Sequence, residues 1–341
     1  MNRSKIIDIM KAIGIILVVV GHCTNIFFLY KFIYLFHLAL FFVISGYLYD
    51  DKYSNKPWDY IGKILKKYLK SYFIYNTILI LGRNLFIQIG ILDNMLPRYG
   101  FNEILCSFLN TFMFISNEPF SAAMWFFPIL ALGLIMFNFI TSYSSKFNNN
   151  KFKELLRFSL IALLTIIGIY LNKNNLNIGL HFQTSFAIMP FIYLGQIIKK
   201  YAKKHIKPSI LLAIPLLIII VIITYKTPGQ VKLSENNLWN PYLFYTLASL
   251  MIYIIYTISF YINKYISLFT KILSFIGKNT IIIMCFHILF FKLFDYFYIK
   301  LVKHEYTKLG MFTCSYKNLW IIYSIVGVFG PLCIQYITKK V

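Results

Sequence analysis

Apolar segments long enough to cross a bilayer recur from one end of this 341-residue chain to the other, and no other feature constrains its fold as strongly. A spanning helix needs about 20 predominantly apolar residues. In hydrocarbon only helices and closed barrels satisfy every backbone N–H and C=O. Ten segments fit the helical requirement: Ile6–Leu29, Phe32–Tyr49, Ser71–Leu92, Ala122–Tyr143, Leu156–Asn172, His181–Ile198, Pro208–Tyr225, Pro241–Ile262, Ile276–Ile299 and Asn318–Ile337. The expected fold is all-α: a polytopic transmembrane helical bundle of about ten spans, one integral-membrane domain over residues 1–341 with no separate soluble domain. A mean hydropathy of +0.68 lies outside the range of soluble globular domains. No cleavable leader is expected, because the first apolar run is too long and no small-residue cleavage site follows it. No internal repeat is evident.

The chain carries 34 Lys and Arg against 11 Asp and Glu, a net charge of +23. This excess does not point to nucleic acid, because the cations sit in connectors between spans. Topology accounts for them, since Lys and Arg accumulate on the cytoplasmic side. With the N-terminus cytoplasmic, the inner connectors hold 23 of the 34: Arg3, Lys5 and Lys11, the Lys52–Lys70, Lys146–Arg157, Lys199–Lys207 and Lys264–Lys278 clusters, and Lys339 and Lys340. The outer connectors hold nine, among them Lys31, Arg98, Lys173 and Lys308, and Arg83 and Lys292 remain within spans. The split predicts both termini cytoplasmic, an even number of crossings and a place in the cell membrane. Attraction to anionic lipid headgroups supplements it.

Two regions are not plain spans. Trp58–Lys70 is amphipathic and basic and is expected to lie along the inner interface. Phe101–Phe120, with Asn110 and Glu118, is expected on the outer side as an interfacial or re-entrant segment. Of the five cysteines, Cys23, Cys285 and Cys333 fall in spans as small hydrophobes. Cys106 and Cys314 both fall on the outer side, where a disulfide is feasible but not demanded by the spacing. No metal set emerges: His22 and His37 have no carboxylate at ligand spacing, and HExxH, P-loop and GxGxxG patterns are absent.

Ionisable groups inside hydrocarbon are costly and mark working sites. In KAIGIILVVVGH, Lys11 to His22, eleven steps of about 100° put both residues on one helix face within about 20°, roughly 16 Å apart along the axis. Asp8 falls on the same face, one turn below Lys11. His22 lies in the outer half of the first span and His37 near the outer start of the second. His287 lies near mid-depth in the ninth. An imidazole suits proton transfer near neutral pH; His37 and His287 are equally explained as packing residues bonded across the bundle, a reading that fits His22 less well because it is in register with Lys11 and Asp8. Asp8 and Lys11 can pair; Lys11 either snorkels to the headgroups or contacts a phosphate of a cytosolic donor. The same two readings apply to Lys63, Lys66, Lys67 and Lys70. Arg83, mid-span in LILGRNLFIQ, should face a polar cavity or a carboxylate. Ser45–Gly46 in VISGY is not a nucleophile elbow and fits close helix packing, and Trp125 fits an interfacial anchor.

Together the motifs resemble one family, the integral-membrane acyltransferase family 3, in particular its fucose 4-O-acetylase-like branch. Lys11 to His22 has the spacing of the family's Arg–ten residues–His opening, with Lys in place of Arg. IDIMKAIGIILVVVGH is similar to the branch's IDxxKGIGIxLVVxGH, with Ala12 for Gly. FHLALFFVISGYLY resembles FHMPLFFFISGYLF, with Ala39 for Pro. AMWFFPIL resembles a WFL segment, and FIGKNTIIIMCFH a late GxxSxxIYLxH segment ending at His287. The resemblance implies a ten-span core that moves an acetyl or other short acyl group from cytosolic acetyl-CoA, a co-substrate, to a sugar hydroxyl of a cell-surface polysaccharide or its lipid-linked precursor. It implies His22 as principal catalytic residue, either a general base or the bearer of a transient acyl group, with His37 and His287 beside it. It implies Lys11 on the donor, where Lys supplies a point charge in place of a bidentate contact. The residues themselves add Lys63, Lys66, Lys67 and Arg83 as donor-binding candidates and Asp8 as an orienting group. No metal is expected, and no domain after the last span. Acceptor recognition then falls to the membrane core and its outer loops, with membrane lipids as surroundings.

The rival reading is a secondary transporter or flippase for a glycan or other polar substrate, which would share the spans and the buried His, Arg and Lys. Repeated halves, frequent in transporters, are not evident. A structural membrane subunit would make no single histidine matter.

Overall fold

All ten apolar segments fold as helix, and the polar residues between them decide where each helix starts and stops. The computed structural model describes residues 4–115, 118–202, 205–303 and 314–338. Arg3, Lys203, Lys204, Lys308, Lys339 and Lys340, which entered the charge bias, lie outside the described residues. In chain order the helices are α1 (Lys5–Cys23), α2 (Phe27–Tyr34), α3 (His37–Tyr47), α4 (Pro57–Ile64), α5 (Lys70–Gln88), α6 (Phe101–Phe112), α7 (Phe126–Ser145), α8 (Asn150–Lys173), α9 (Phe182–Ala187), α10 (Met189–Ile197), α11 (Ile210–Lys226), α12 (Pro241–Tyr265), α13 (Ser267–Lys278), α14 (Thr280–Tyr298) and α15 (Trp320–Thr338). Among the described residues there is no strand, only an isolated bridge between Lys232 and Asn237.

Among the described residues, six stretches are long and apolar enough to cross a membrane: Lys5–Cys23, Phe27–Tyr47, Phe126–Ser145, Asn150–Lys173, Pro241–Tyr265 and Thr280–Val302. Ile210–Lys226 and Trp320–Ile334 are apolar but shorter. The exposed faces match. Ile74, Ile78, Leu81 and Leu85 form an exposed stripe on α5, and Leu211, Ile214, Ile218 and Ile222 one on α11, at the spacing of a single helix face. Apolar patches of that extent belong in lipid. The molecule is a multi-pass helical membrane protein.

Several boundaries differ from the sequence reading. The first helix ends at Cys23, not Leu29, because the Thr24 hydroxyl accepts the Ile26 N–H at 3.2 Å and draws the backbone out of the helix. The second crossing begins at Phe27 and breaks at Leu35–Phe36, so His37 opens α3. Asn279 splits the ninth segment, its amide donating to the Phe275 carbonyl at 2.8 Å, and Gly277 and Lys278 therefore belong to α13. Trp58–Lys70 is continuous with α5 through a π-helical turn, Leu65–Leu69. It is amphipathic: Tyr60, Ile64 and Tyr68 are buried, while Trp58, Lys63, Lys66 and Lys67 are exposed. In α6, Ser107 and Thr111 are buried and Phe101, Leu105, Leu109 and Phe112 point outward, the arrangement of a helix with lipid outside it. Cys106 and Cys314 form no disulfide.

The first helix is central and packs on α3, α12, α13, α14 and α15. Two contacts bring backbones together through glycine. Gly277 of α13 faces the Asp8 carbonyl of α1, while Gly46 of α3 faces Ile192 of α10, the small-residue packing that VISGY suggests.

Candidate active site

The N-terminal half of α1, α3, α4 with its π turn, α7 and the α13–α14 junction enclose a cavity of ≈ 540 Å³, within the size range of ligand sites. Its ionisable lining is Lys11, Lys63, Lys67 and Lys278 with Asp8. The π turn brings Lys67 to the wall, its ammonium 4.6 Å from the Tyr68 ring centre, and one turn earlier Lys63 lies 4.8 Å from the ring centre of Tyr53. Asp8 is buried beside the α13 contact. Four cations around one carboxylate leave the cavity positive and suited to an anionic, phosphate-bearing ligand. Away from the lysines the lining turns apolar and aromatic, with Phe41, Phe126, Leu130 and Met284.

Beyond that apolar layer lie the histidines. His287, one turn past Met284 on α14, is fully buried. Its Nδ1 lies 2.9 Å from the Ile283 carbonyl oxygen and 3.0 Å from that of Met284. Carbonyls only accept, so Nδ1 carries the proton and Nε2 of the neutral ring carries the lone pair. That Nε2 is buried with no hydrogen-bond partner among the described residues. Leaving such an atom unpaired costs about 1–3 kcal/mol, an expense that a packing histidine would avoid by turning to a neighbour. The His22 ring lies 5.1 Å from it, centre to centre, with the planes at 47°. His22 is partly exposed, whereas His37 and His287 are buried. At the start of α3, His37 donates from Nδ1 to the Ile33 carbonyl at 2.7 Å and faces the Tyr34 ring at 4.9 Å. Tyr34 in turn packs against Gly21, the neighbour of His22. Three histidines distant in sequence thus gather around one end of α1, while its other end lines the cavity.

Of the five cations expected at the donor, the structure brings Lys11, Lys63 and Lys67 to the cavity and leaves two outside. Lys66 is exposed and does not line it. Arg83 sits sixteen residues beyond Lys67, roughly 24 Å along the helix, and is engaged elsewhere. Its guanidinium pairs with Glu118 at 3.0 Å, donates to the Pro97 carbonyl at 3.0 Å and lies 4.2 Å from the Tyr99 ring centre. Burial pushes the Glu118 carboxyl above its ordinary range, against the pull of Arg83. The carboxylate expected for Arg83 is therefore present, in a structural pair that ties the 89–100 connector to the segment before α7. Lys292 pairs with Asp295 at 3.5 Å, and Asp295 also accepts from Ser315 and from the Tyr323 hydroxyl.

The sequence reading left Lys278 out of the site. Its signal was the FIGKNT segment nine residues before His287, but only the break at Asn279 shows that Lys278 turns to the cavity. Two other grooves, of ≈ 610 and ≈ 530 Å³, lie between α11 and α12 and beside α8 and α10; no acid, Lys, Arg or His lines them among the described residues. No cluster of three or more His, Cys, Asp or Glu able to hold a metal occurs among the described residues.

Compared with known families, residues 4–339 match the family model Acyl_transf_3, described as an acyltransferase domain. No curated protein and no solved structure matches the chain.

Proposed function

We propose that this chain, which belongs to the acyltransferase 3 family, transfers an acetyl group from cytosolic acetyl-CoA to a sugar hydroxyl of a cell-surface polysaccharide or its lipid-linked precursor, in the manner of the fucose 4-O-acetylase-like branch that its opening motif resembles. The observation that carries this reading is the layout along α1: a lysine-lined cavity at one end and a paired His22 and His287 at the other. Ten crossings with both termini cytoplasmic put the lysines where the donor is made. Lys11, Lys63, Lys67 and Lys278 hold its phosphates, and its extended arm bridges the roughly 16 Å from Lys11 to the histidines. His22, the partly exposed member of the pair, takes the proton of the acceptor hydroxyl. The oxygen attacks the thioester carbonyl carbon, the C–S bond breaks, and the CoA thiolate leaves and collects a proton. His287, whose ring centre lies 5.1 Å from that of His22 and whose buried Nε2 has no hydrogen-bond partner among the described residues, supports His22 in holding that proton. A positioned base of this kind contributes about 10²–10⁴ in rate.

The test uses purified protein in lipid nanodiscs with acetyl-labelled acetyl-CoA and membrane-derived glycan. Label moving to glycan, with release of free CoA, supports the reading. Glycan crossing the membrane without any acyl transfer would overturn it in favour of transport.

A further inference from the structure

Resting on the donor reading above, we infer that Phe41 and Met284, closed by Phe126, form a floor between the donor cavity and the histidines and set the length of the acyl group transferred. On two helices the cavity lining stops at the same level. On α14 its deepest residue is Met284, and His287 follows three residues later, a rise of about 4.5 Å. On α3 its deepest residue is Phe41, and His37 lies four residues away on the far side, about 6 Å. Both floor residues are nearly closed to solvent, Phe41 at 8% and Met284 at 4% exposure. Phe126 meets Phe41 edge-on at 5.8 Å and stacks on Phe42 at 5.4 Å. On α1, Gly14 lets the Phe41 ring come close: a Cβ there would lie 3.0 Å from its edge carbons. A packed aromatic layer with one flexible thioether thus separates the basic cavity from the imidazoles.

This layer has a chemical consequence. The thioester carbonyl must come within about 3–3.5 Å of the attacking oxygen, which His22 holds, so the carbonyl passes the floor and the acyl tail lies against it. Methionine is the adaptable member, since its unbranched side chain repacks readily. The aromatic rings are not adaptable, and each added methylene on the acyl tail has to displace them. A close-fitting pocket of this kind discriminates on the order of tenfold or more per methylene. Short acyl groups are accepted and longer ones rejected, by Phe41 and Met284 acting as specificity-determining residues.

The test offers wild type, Met284→Ala and Phe41→Leu an equimolar mixture of acetyl-, propionyl- and butyryl-CoA in nanodiscs. The products on glycan are read by mass spectrometry, so that each sample gives a ratio independent of its total activity. The expected result is a wild-type product dominated by acetyl, with the butyryl-to-acetyl ratio rising tenfold or more in at least one variant. Unchanged ratios in both variants overturn the floor and leave the donor reading intact. Loss of all transfer in both variants, with the wild type active, also overturns it, because a floor that only limits length is dispensable for the shortest group. Failure of the folded wild type to use any of the three donors overturns the donor reading and this inference with it.

Discussion

A single methyl group at Gly277 tests whether the contact between α1 and α13 shapes the donor cavity. A Cβ built there would lie 1.8 Å from the Asp8 carbonyl oxygen and 2.6 Å from its carbonyl carbon, whereas ordinary contact begins at 3.4 Å. The two helices must therefore part by about 1.6 Å at this level, and backbone on one side leaves no side-chain rotation to absorb it. The displacement carries Lys278 away from Asp8 and Lys11 across the cavity mouth and leaves the His22–His287 pair chemically unchanged. A 1 Å misplacement around a reacting group costs on the order of 100-fold in rate, and overpacking of this size costs about 1–3 kcal/mol in stability. In nanodiscs, with folding checked by size-exclusion profile, Gly277→Ala should lower kcat/KM for acetyl-CoA by about 100-fold. Gly62→Ala is the control, since nothing lies within 4 Å of a Cβ at that exposed helical position. Activity of Gly277→Ala within a few-fold of wild type, on folded protein, would refute the reasoning that this contact sets the site.

Lys11→Ala and Lys278→Ala should each raise KM for acetyl-CoA more than they lower kcat, while Lys66→Ala, outside the cavity, should leave the saturation curve in place; identical curves for all three would remove the donor role from the lysines. Glu118→Ala leaves the Arg83 guanidinium buried without its carboxylate, a change that costs about 3–5 kcal/mol. A depressed thermal midpoint in detergent is expected, with recovery in the Arg83→Met, Glu118→Leu double variant; a single variant melting with wild type would show that the pair is not structural. Gly46→Ala drives a methyl into the Ile192 backbone and should lower the yield of folded protein, and normal yield and midpoint would show that α3 and α10 can part freely.

The parts of this fold that were legible in the sequence are those governed by local composition and period. Apolar length located the ten segments that fold as helix but not α13, which lies in what reads as a connector, and the phase of α1 put Asp8 and Lys11 on one face, from which both line the cavity. The arginine expected to need a carboxylate has one. What was not legible depends on contacts between residues far apart in the chain. His22 meets His287 across 265 positions, a pairing that no periodicity encodes. Glu118, just before α7, meets Arg83 of α5 across 35 positions. The helix breaks at Thr24 and Asn279 were hidden because apolar residues continue on both sides, while the decisive events are side-chain hydrogen bonds of single polar residues. The second break is what moved Lys278 from the start of a span to the mouth of the cavity. Lys66 was grouped with Lys63 and Lys67 by spacing alone, and the cavity takes Lys63 and Lys67 into its lining but not Lys66.

The most direct test of the account is acetyl transfer by His22→Ala beside wild type, in the same nanodiscs and at saturating acetyl-CoA. The account predicts a loss of at least 100-fold in kcat, with acetyl-CoA still bound at close to the wild-type Kd, because the lysines proposed to hold it line the cavity at the other end of α1. Transfer at the wild-type rate by correctly inserted His22→Ala would contradict it.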